Sequence, residues 1–532
     1  MTDITARFAG IGPSAGGTLG VPWRLWALIA TAAALVIGIV LYPDIHDATM
    51  PISLALLVIG AVLGAIILRG RVRFALLLPL VAAFLPSQQV GFAAYLLALA
   101  LLAGLFGARR LARPLDTVDG LLLAVLGWAV MSWLANLGTE TDLWSFPVFA
   151  LTFLTPWLLL GLARAVAWTP RDLNVILGAW VALGTSQLVT ALVKPIVLGT
   201  PESYAVPLLL LQAARLAILQ AITAGHVADL TFGTMPSAHH LGVATLLLTV
   251  FLVGLFVVAG GTRLLVLAAI AFFVFLMTDS KHVLLAALLP AVLFIATVIW
   301  PRLTPDWQRR LGSAAVVVGI AVVAVLGARI ANLVVTGLWQ PYVSLATINP
   351  KVQLVLRTSE RMAEGGLHTW IGHGPGSFAS RAATIRASDV LYKEESRLPG
   401  LIPPHTGESY RSIAYDLYTT EIALTTGFRS GALTNPFSSL VGIVAEFGVL
   451  GSLLVALFLW TLTRRMLATW RDDRLPATWR AAAAAAAFGI PLLVLLGIFD
   501  SYFEQPDVTA VLLPLMLVGL VGREAVERGG GG

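Results

Sequence analysis

The residues best suited to chemistry lie in a glycine-rich run within a polar segment of about 100 residues, 336–436. The run begins at Arg361 and continues through Gly372, Gly374 and Gly376 to Phe378. Glycine permits positive φ and a close approach of a ligand to backbone amides, and a guanidinium can present two donors to a phosphate. A glycine-rich turn after a helix can also be a simple C-terminal cap. The run is therefore a candidate anion site with a structural alternative.

Three further residues are candidates for proton transfer. His405 and Glu408 lie close together in Pro-Pro-His-Thr-Gly-Glu, and Glu446 lies inside an apolar run. Imidazole and carboxylate groups are the usual general bases in enzymes. A carboxylate within a membrane is costly and needs a partner, for which Arg329 is one possibility. A structural ion pair is the alternative interpretation of Glu446.

The composition excludes a soluble enzyme and favours a polytopic membrane protein. Of the 532 residues, 58% are hydrophobic and 12% are charged, against roughly 25% charged in ordinary soluble domains. The absence of cysteine excludes disulfides, zinc-thiolate sites, iron–sulfur clusters and thiol nucleophiles. The net charge of +6 comes without a basic, aromatic-rich run, so no nucleic acid is expected as a partner. His239 and His240 are adjacent rather than spaced as metal ligands, and no metal or other cofactor is expected.

Apolar runs long enough to cross ~30 Å of hydrocarbon predict about 14 transmembrane helices in an all-α fold. They cover residues 24–42, 51–68, 74–87, 89–107, 119–137, 143–163, 173–197, 241–260, 263–278, 282–300, 312–333, 437–463, 481–499 and 508–522. With both termini cytoplasmic, the cytoplasmic segments hold 21 of the 34 Lys and Arg residues but nine of the 28 acids, as the positive-inside rule requires.

This topology divides the chain into seven parts and places every histidine on the external side. The parts are a cytoplasmic tail (1–23), spans one to seven (24–198), an external segment with a re-entrant or interfacial helix (199–240), spans eight to eleven (241–333), a large external loop (334–436), spans twelve to fourteen (437–522) and a second cytoplasmic tail (523–532). The histidines are His46, His226, His239, His240, His282, His368, His373 and His405. Any chemistry is therefore expected outside.

Four motifs follow one another on the predicted sides of the membrane. They are Phe-Gly-Thr-Met-Pro-Ser-Ala-His-His-Leu-Gly at 232–242, Thr-Asp-Ser-Lys at 278–281, the glycine-rich run after Arg361, and Thr-Asn at 434–435 with Ala-Glu-Phe-Gly at 445–448. In order, spacing and topology, residues 119–460 resemble the bacterial O-antigen ligases and Wzy-type O-antigen polymerases.

The resemblance implies a membrane fold similar to type C glycosyltransferases in the bacterial inner membrane. It also implies an inverting, metal-independent reaction that transfers a glycan from a polyprenyl-diphosphate carrier to a sugar hydroxyl of a glycan or lipid-glycan acceptor, and leaves polymerase and ligase as alternatives. Without a metal, cations must bind the diphosphate, and the external candidates are Arg215, Lys281, Arg357 and Arg361. Residues expected to bind substrate are His239, His240, Gly372, Gly374, Gly376 and Asn435.

Two departures from the family pattern affect the mechanism. Thr434 stands where the family has the histidine regarded as its base, so His405, Glu408 and Glu446 become the candidate bases. Lys281 replaces an arginine and keeps the charge without the two-donor fork. Two other functions remain as alternatives: a flippase or exporter of lipid-linked glycans, and a metal-dependent membrane glycosyltransferase that uses Asp44 and Asp47.

Overall fold

The computed structural model describes residues 72–85, 88–108, 115–197, 235, 237–278, 280–302, 350–387, 405–419 and 438–529. Several of the predictions fall outside these ranges: the spans 24–42, 51–68 and 312–333, the residues Asp44, Asp47, Arg215, Arg329, Thr434 and Asn435, and the side chain of Lys281.

The described residues form helices and short turns, with no β-strand among them. In chain order the α-helices are α1 (Leu77–Ala83), α2 (Gln88–Ala108), α3 (Thr117–Ala135), α4 (Ser145–Ala165), α5 (Pro170–Val197), α6 (Ala238–Ala259), α7 (Thr262–Met277), α8 (Lys281–Phe294), α9 (Pro350–Ala363), α10 (Leu367–Ile371), α11 (Arg381–Arg386), α12 (Tyr415–Thr419), α13 (Ser439–Arg471), α14 (Ala477–Phe499) and α15 (Pro506–Gly529). A π-helical turn, Ala150–Leu154, interrupts α4, and two others follow α8 (Ile295–Ile299) and precede α12 (Tyr410–Ala414).

Within the described ranges, eight helices are long and apolar enough to cross a membrane, and three shorter apolar helices accompany them. These eleven coincide with eleven of the predicted spans, so an all-α, membrane-embedded fold is confirmed, while the total of fourteen stays a prediction. The bounds differ most at α13, which begins at Ser439 and continues to Arg471 rather than ending at residue 463. Arginine, leucine and methionine are good helix formers, so the helix continues past its apolar part.

Charged residues mark one end of the bundle, here called the arginine end. The buried guanidinium of Arg164 pairs with Asp116 and Asp119, each at 2.8 Å, and joins the start of α3 to the end of α4. Arg465 of α13 lies 3.7 Å from the same Asp116. The start of α3, the end of α4 and the C-terminal part of α13 therefore lie at the same end of the bundle. The charge pattern assigns all three to the cytoplasm.

The opposite end, here called the histidine end, contains all six histidines within the described ranges: His239, His240, His282, His368, His373 and His405. Its helix termini are linked by polar contacts. Ser438, the N-cap of α13, donates its hydroxyl to the carbonyl of Gly497 in α14 at 2.9 Å. His239 Nδ1 lies 3.2 Å from Ser280 Oγ, between α6 and α8. The assignment of this end to the external face stays a prediction.

Small residues allow α14 to pack at the centre of the bundle. Residues 481–486 are six consecutive alanines with no exposed surface. A Cβ on Gly254 of α6 would lie 3.6 Å from the backbone of Ala481, so α6 and α14 are in close backbone contact. The described part of the long loop, residues 350–387 and 405–419, is called the cap below and packs on the histidine end.

Candidate functional site

The site is built around an interruption in α13. At Gly448 the backbone has φ 65° and ψ −172°, which divides the helix into a short first part, Ser439 to Phe447, and a long second part. Carbonyl groups before the interruption lose their helical partners and are satisfied by side chains of α3. Trp128 donates its indole N–H to the carbonyl of Phe447 at 2.9 Å, and the hydroxyl oxygen of Ser132 lies 3.1 Å from the carbonyl oxygen of Glu446.

The glycine-rich run of the cap packs directly on this interruption. The amide of His373 donates to the carbonyl of Ala445 at 2.9 Å, and the amide of Gly374 to the carbonyl of Glu446 at 3.0 Å. Gly372 has φ +78°, and a Cβ there would lie 2.2 Å from the Glu446 carbonyl oxygen. The close approach that the glycines permit is therefore an approach of the α13 backbone.

The carboxylate of Glu446 binds the amides of the same run. Its Oε2 accepts from Gly376 N at 2.7 Å, and its Oε1 accepts from Phe378 N at 3.0 Å and Ser380 N at 3.1 Å. The residue is 1% exposed. Successive backbone N–H groups of this kind form an anion nest, and here the anion is part of the protein. The geometry gives Glu446 a positioning role, because these bonds hold the cap on α13. The catalytic role considered from the sequence stays a prediction.

A second carboxylate, Glu140, fixes the other side of the run. Ser409 donates its amide to Glu140 Oε2 at 2.9 Å and its hydroxyl to Oε1 at 2.5 Å. His373 Nδ1 lies 3.1 Å from the Ser409 hydroxyl and 3.6 Å from Glu140 Oε1. Burial alone would raise the pKa of Glu140, but the hydrogen bonds from His373 and Ser409 outweigh it and lower the pKa to about 2. Glu140 is therefore an ionised link between the α3–α4 loop and the cap.

The half-buried His405 lies beside this link. Its Nε2 is 3.2 Å from the carbonyl oxygen of Glu140. Because a carbonyl only accepts, Nε2 carries the proton, and a neutral His405 keeps its lone pair on Nδ1. Arg386 joins the same loop through Asp142, with Nη2 to Oδ2 at 2.7 Å. The desolvation of Asp142 opposes its ionisation, but the bond to Arg386 dominates and lowers its pKa to about 2.

A third acidic group lies where the cap meets the turn between α14 and α15. The amide of Arg381 donates to Glu504 Oε2 at 2.6 Å, and Glu504 is 2% exposed. Burial, together with the charge of nearby Glu446, raises the pKa of Glu504 to about 8. Next along the chain, Gln505 Oε1 lies 2.7 Å from His240 Nε2, and His240 Nδ1 is 3.8 Å from Asp507 Oδ2.

The pKa of Glu504 predicts a dependence of stability on neutral pH. Its ordinary pKa is 4.5 and the folded value is about 8, so the folded protein binds this proton more tightly than the unfolded chain. Its contribution to stability is then complete below pH 4.5 and decreases as the pH rises towards 8. We expect the melting temperature in detergent to decrease from pH 5 to pH 8, and Glu504→Gln to reduce that slope.

Two comparisons test this assignment. Glu140 and Asp142, with pKa values of about 2, stay ionised throughout this window and do not contribute to the slope. Glu524→Gln, at the arginine end, should leave the slope unchanged. A Glu504→Gln variant with the slope of the unchanged protein would show that another group is responsible.

The remaining residues predicted from the sequence are more dispersed. On α9, Arg357 pairs with Asp416 at 2.7 Å and Arg361 pairs with Glu364 at 2.6 Å. Glu408 is exposed on the cap. His239 is half-buried, with its ring edge-to-face against that of His282 at 4.3 Å. The structure thus brings Glu446 together with the three glycines and places His405 next to them, whereas Arg357 and Arg361 have acidic partners on the cap.

Several residues of this cluster are absent from the predicted site. They are Glu140, Asp142, His373, Arg386, Ser409 and Glu504. Glu140 and Asp142 lie in a short loop between two predicted spans. Their position is the feature of the sequence that could have identified them as site residues. Acids in a short loop between two apolar spans lie near helix ends, where a large loop can fold onto them. Across the described ranges, no three His, Asp or Glu side chains are grouped as metal ligands.

No protein-family model matches this sequence, and no curated protein matches it.

Proposed function

We propose that this protein is an integral membrane glycosyltransferase that moves a glycan from a polyprenyl-diphosphate carrier to the hydroxyl of an acceptor sugar at the histidine end. The observation that carries the proposal is the docking of a polar cap onto the end of an apolar bundle, with a half-buried histidine beside the junction. Such a junction can present a lipid-embedded donor and a water-soluble acceptor to the same groups. The motif resemblance to O-antigen ligases and polymerases supports the same reaction.

His405 is the base we favour for this reaction. Because its Nε2 is directed at the Glu140 carbonyl, 3.2 Å away, Nδ1 is the atom that would take the proton of the acceptor hydroxyl. The acceptor oxygen then attacks the anomeric carbon and the carbon–oxygen bond to the diphosphate breaks. The proton remains on His405 and the polyprenyl diphosphate leaves with the electron pair. Glu140 and Arg386 act as positioning residues, because they hold the loop on which the histidine depends.

The leaving diphosphate also requires cations. At the histidine end, Arg411 of the described cap donates its Nε–H to the hydroxyl oxygen of Thr406. Three other arginines of the cap already have acidic partners: Asp416 for Arg357, Glu364 for Arg361 and Asp142 for Arg386. Binding a diphosphate through any of these three therefore means exchange with a carboxylate. Arg215 and Lys281 remain proposed as the further cations of this site.

Substitution of His405 tests the proposed function. Removing a general base typically lowers a rate by about 10²–10⁴-fold. We therefore expect His405→Gln to lower transfer at least about 100-fold when purified protein is incubated with lipid-linked oligosaccharide and acceptor in detergent, followed by mass spectrometry of the product. The transfer rate of this variant should recover in part at higher pH, because a larger fraction of the acceptor hydroxyl is then ionised without a general base.

Ser412→Ala is the matched control, because this exposed serine donates its hydroxyl only to carbonyls of its own turn, those of Glu408 and Ser409. It should retain full activity. Equal activity of His405→Gln and the unchanged protein would exclude His405 as the base. Movement of the lipid-linked glycan across liposomes without any covalent product would instead identify a flippase or exporter.

A further inference from the structure

The cap and the α3–α4 loop beside it expose large apolar side chains that no other part of the described chain covers. On α10, Leu367 is 65% exposed and Trp370 is 54% exposed. In the loop between α3 and α4, Leu143 is 68% exposed and Trp144 is 43% exposed. Adjacent exposed apolar groups of this size commonly mark an interaction surface.

The depth of α10 relative to the bundle follows from its contacts with α3. With 19 residues, α3 is ~28 Å long, close to the ~30 Å thickness of the hydrocarbon layer. Ser132 lies in the last turn of α3 and donates its hydroxyl to the carbonyl of Ile371 at 2.7 Å. The last residue of α10 is therefore level with the last turn of a membrane-spanning helix.

The exposed surface of α10 is also continuous with the apolar surface of the spans. A Cβ on Gly448 would lie 2.5 Å from the carbonyl oxygen of Trp370, so α10 lies against α13 at its interruption. Immediately after the interruption, α13 exposes Val449, Leu450 and Leu453. Because α13 is an apolar membrane-spanning helix, these exposed side chains face lipid.

The loop carrying Leu143 and Trp144 belongs to the same rim. Gly376 lies five residues after the end of α10, and a Cβ there would lie 2.8 Å from the carbonyl oxygen of Ser145. Trp133, at the end of α3, donates its indole N–H to the carbonyl of Asp142 at 2.8 Å. The two exposed pairs therefore lie on segments that touch each other beside the end of α3.

We propose that Leu367, Trp370, Leu143 and Trp144 form an interfacial anchor through which the cap inserts into the phospholipid surface at the histidine end. Tryptophan suits this location because its ring is apolar and its indole N–H is polar, and it is enriched at both interfaces of membrane proteins. The anchor does not depend on the proposed glycosyl transfer. It keeps the cap at the depth of lipid headgroups.

The absence of cysteine from the sequence allows a direct test by single labelling. Leu367→Cys, Trp370→Cys and Leu143→Cys are labelled with an environment-sensitive fluorophore in the full chain, reconstituted into phosphatidylcholine nanodiscs. Leu453→Cys is the lipid-facing reference and Ser412→Cys the water-facing reference. Quenching by brominated phosphatidylcholine and by aqueous iodide is measured for each. Three labelled positions keep the test valid if one variant fails to fold.

We expect the three anchor positions to be quenched by brominated lipid at least half as strongly as Leu453, with iodide quenching at least about threefold weaker than at Ser412. Iodide quenching equal to that at Ser412 would place these residues in water and overturn the proposal. Protection from both quenchers would show that another protein surface covers them, and would overturn it as well.

Discussion

Replacement of Glu446 by alanine or glutamine is expected to release the cap from α13. Alanine removes the acceptor of three buried amides, those of Gly376, Phe378 and Ser380. Glutamine keeps one oxygen and directs an N–H₂ group at the remaining donors. Each buried donor without a partner costs about 1–3 kcal/mol, so alanine, which orphans all three amides, costs at least about 3 kcal/mol. Glutamine can keep its oxygen at the Oε1 position and orphan only the Gly376 amide, which costs at least about 1 kcal/mol.

Hydrogen exchange measures this effect at the amides themselves. We expect exchange in the peptide covering 372–380 to accelerate at least about 160-fold in Glu446→Ala and at least about fivefold in Glu446→Gln, the factors equivalent to ~3 and ~1 kcal/mol. Glu524→Gln at the arginine end is the control, and exchange in that peptide should not change. Unchanged protection in Glu446→Gln would mean that the amides have other acceptors and that the carboxylate does not hold the cap.

The substitution Gly372→Ala is expected to have an even larger effect, because the added methyl group would meet backbone rather than a flexible side chain. The new Cβ would lie 2.2 Å from the Glu446 carbonyl oxygen and 2.5 Å from the amide nitrogen of Phe447. The cap and α13 must separate to accommodate it. We expect a loss of more than about 3 kcal/mol of stability, seen as a lower melting temperature and as new trypsin cleavage at Arg381.

Gly366→Ala separates the contact from the backbone conformation. Gly366 also has a positive φ, +89°, but a Cβ there would meet nothing within 4 Å. This variant therefore loses only the conformational preference of glycine, ~1–3 kcal/mol, and should resist trypsin at Arg381. Similar behaviour of the two variants would show that positive φ, rather than the contact with α13, explains the glycines.

The part of the fold that the sequence predicts well is the set of membrane spans, because each span is identified by the length of one apolar run. Eleven predicted spans coincide with described helices because the cost of burying polar groups in hydrocarbon acts locally, over each run of about 20 residues. The bounds are less accurate. The interruption at Gly448 lies within one uninterrupted apolar run, and only the contact with Gly372 shows why a glycine is needed there.

The candidate site is predicted less completely, because its parts come from distant positions in the chain. The glycine run and Glu446 both stand out in the sequence, yet their pairing depends on how the cap folds back. The same run was interpreted as a site for an external anion, whereas its amides bind an anion from α13. Glu140 and Glu504 lie in turns between apolar spans, and their contacts with Ser409 and Arg381 follow from tertiary packing alone.

The spacing of these contacts along the chain has a consequence for biosynthesis. The Gly376 amide precedes its acceptor Glu446 by 70 residues, the Arg381 amide precedes Glu504 by 123, and Glu140 precedes Ser409 by 269. Because a ribosome makes the chain from its N-terminus, the glycine run emerges before α13 and α15 exist. The part of cap docking that depends on Glu446 and Glu504 is therefore a late event in assembly. A nascent chain that stops before residue 439 can make the contacts of its cap with α3 and the α3–α4 loop but lacks those with α13 and with the turn before α15.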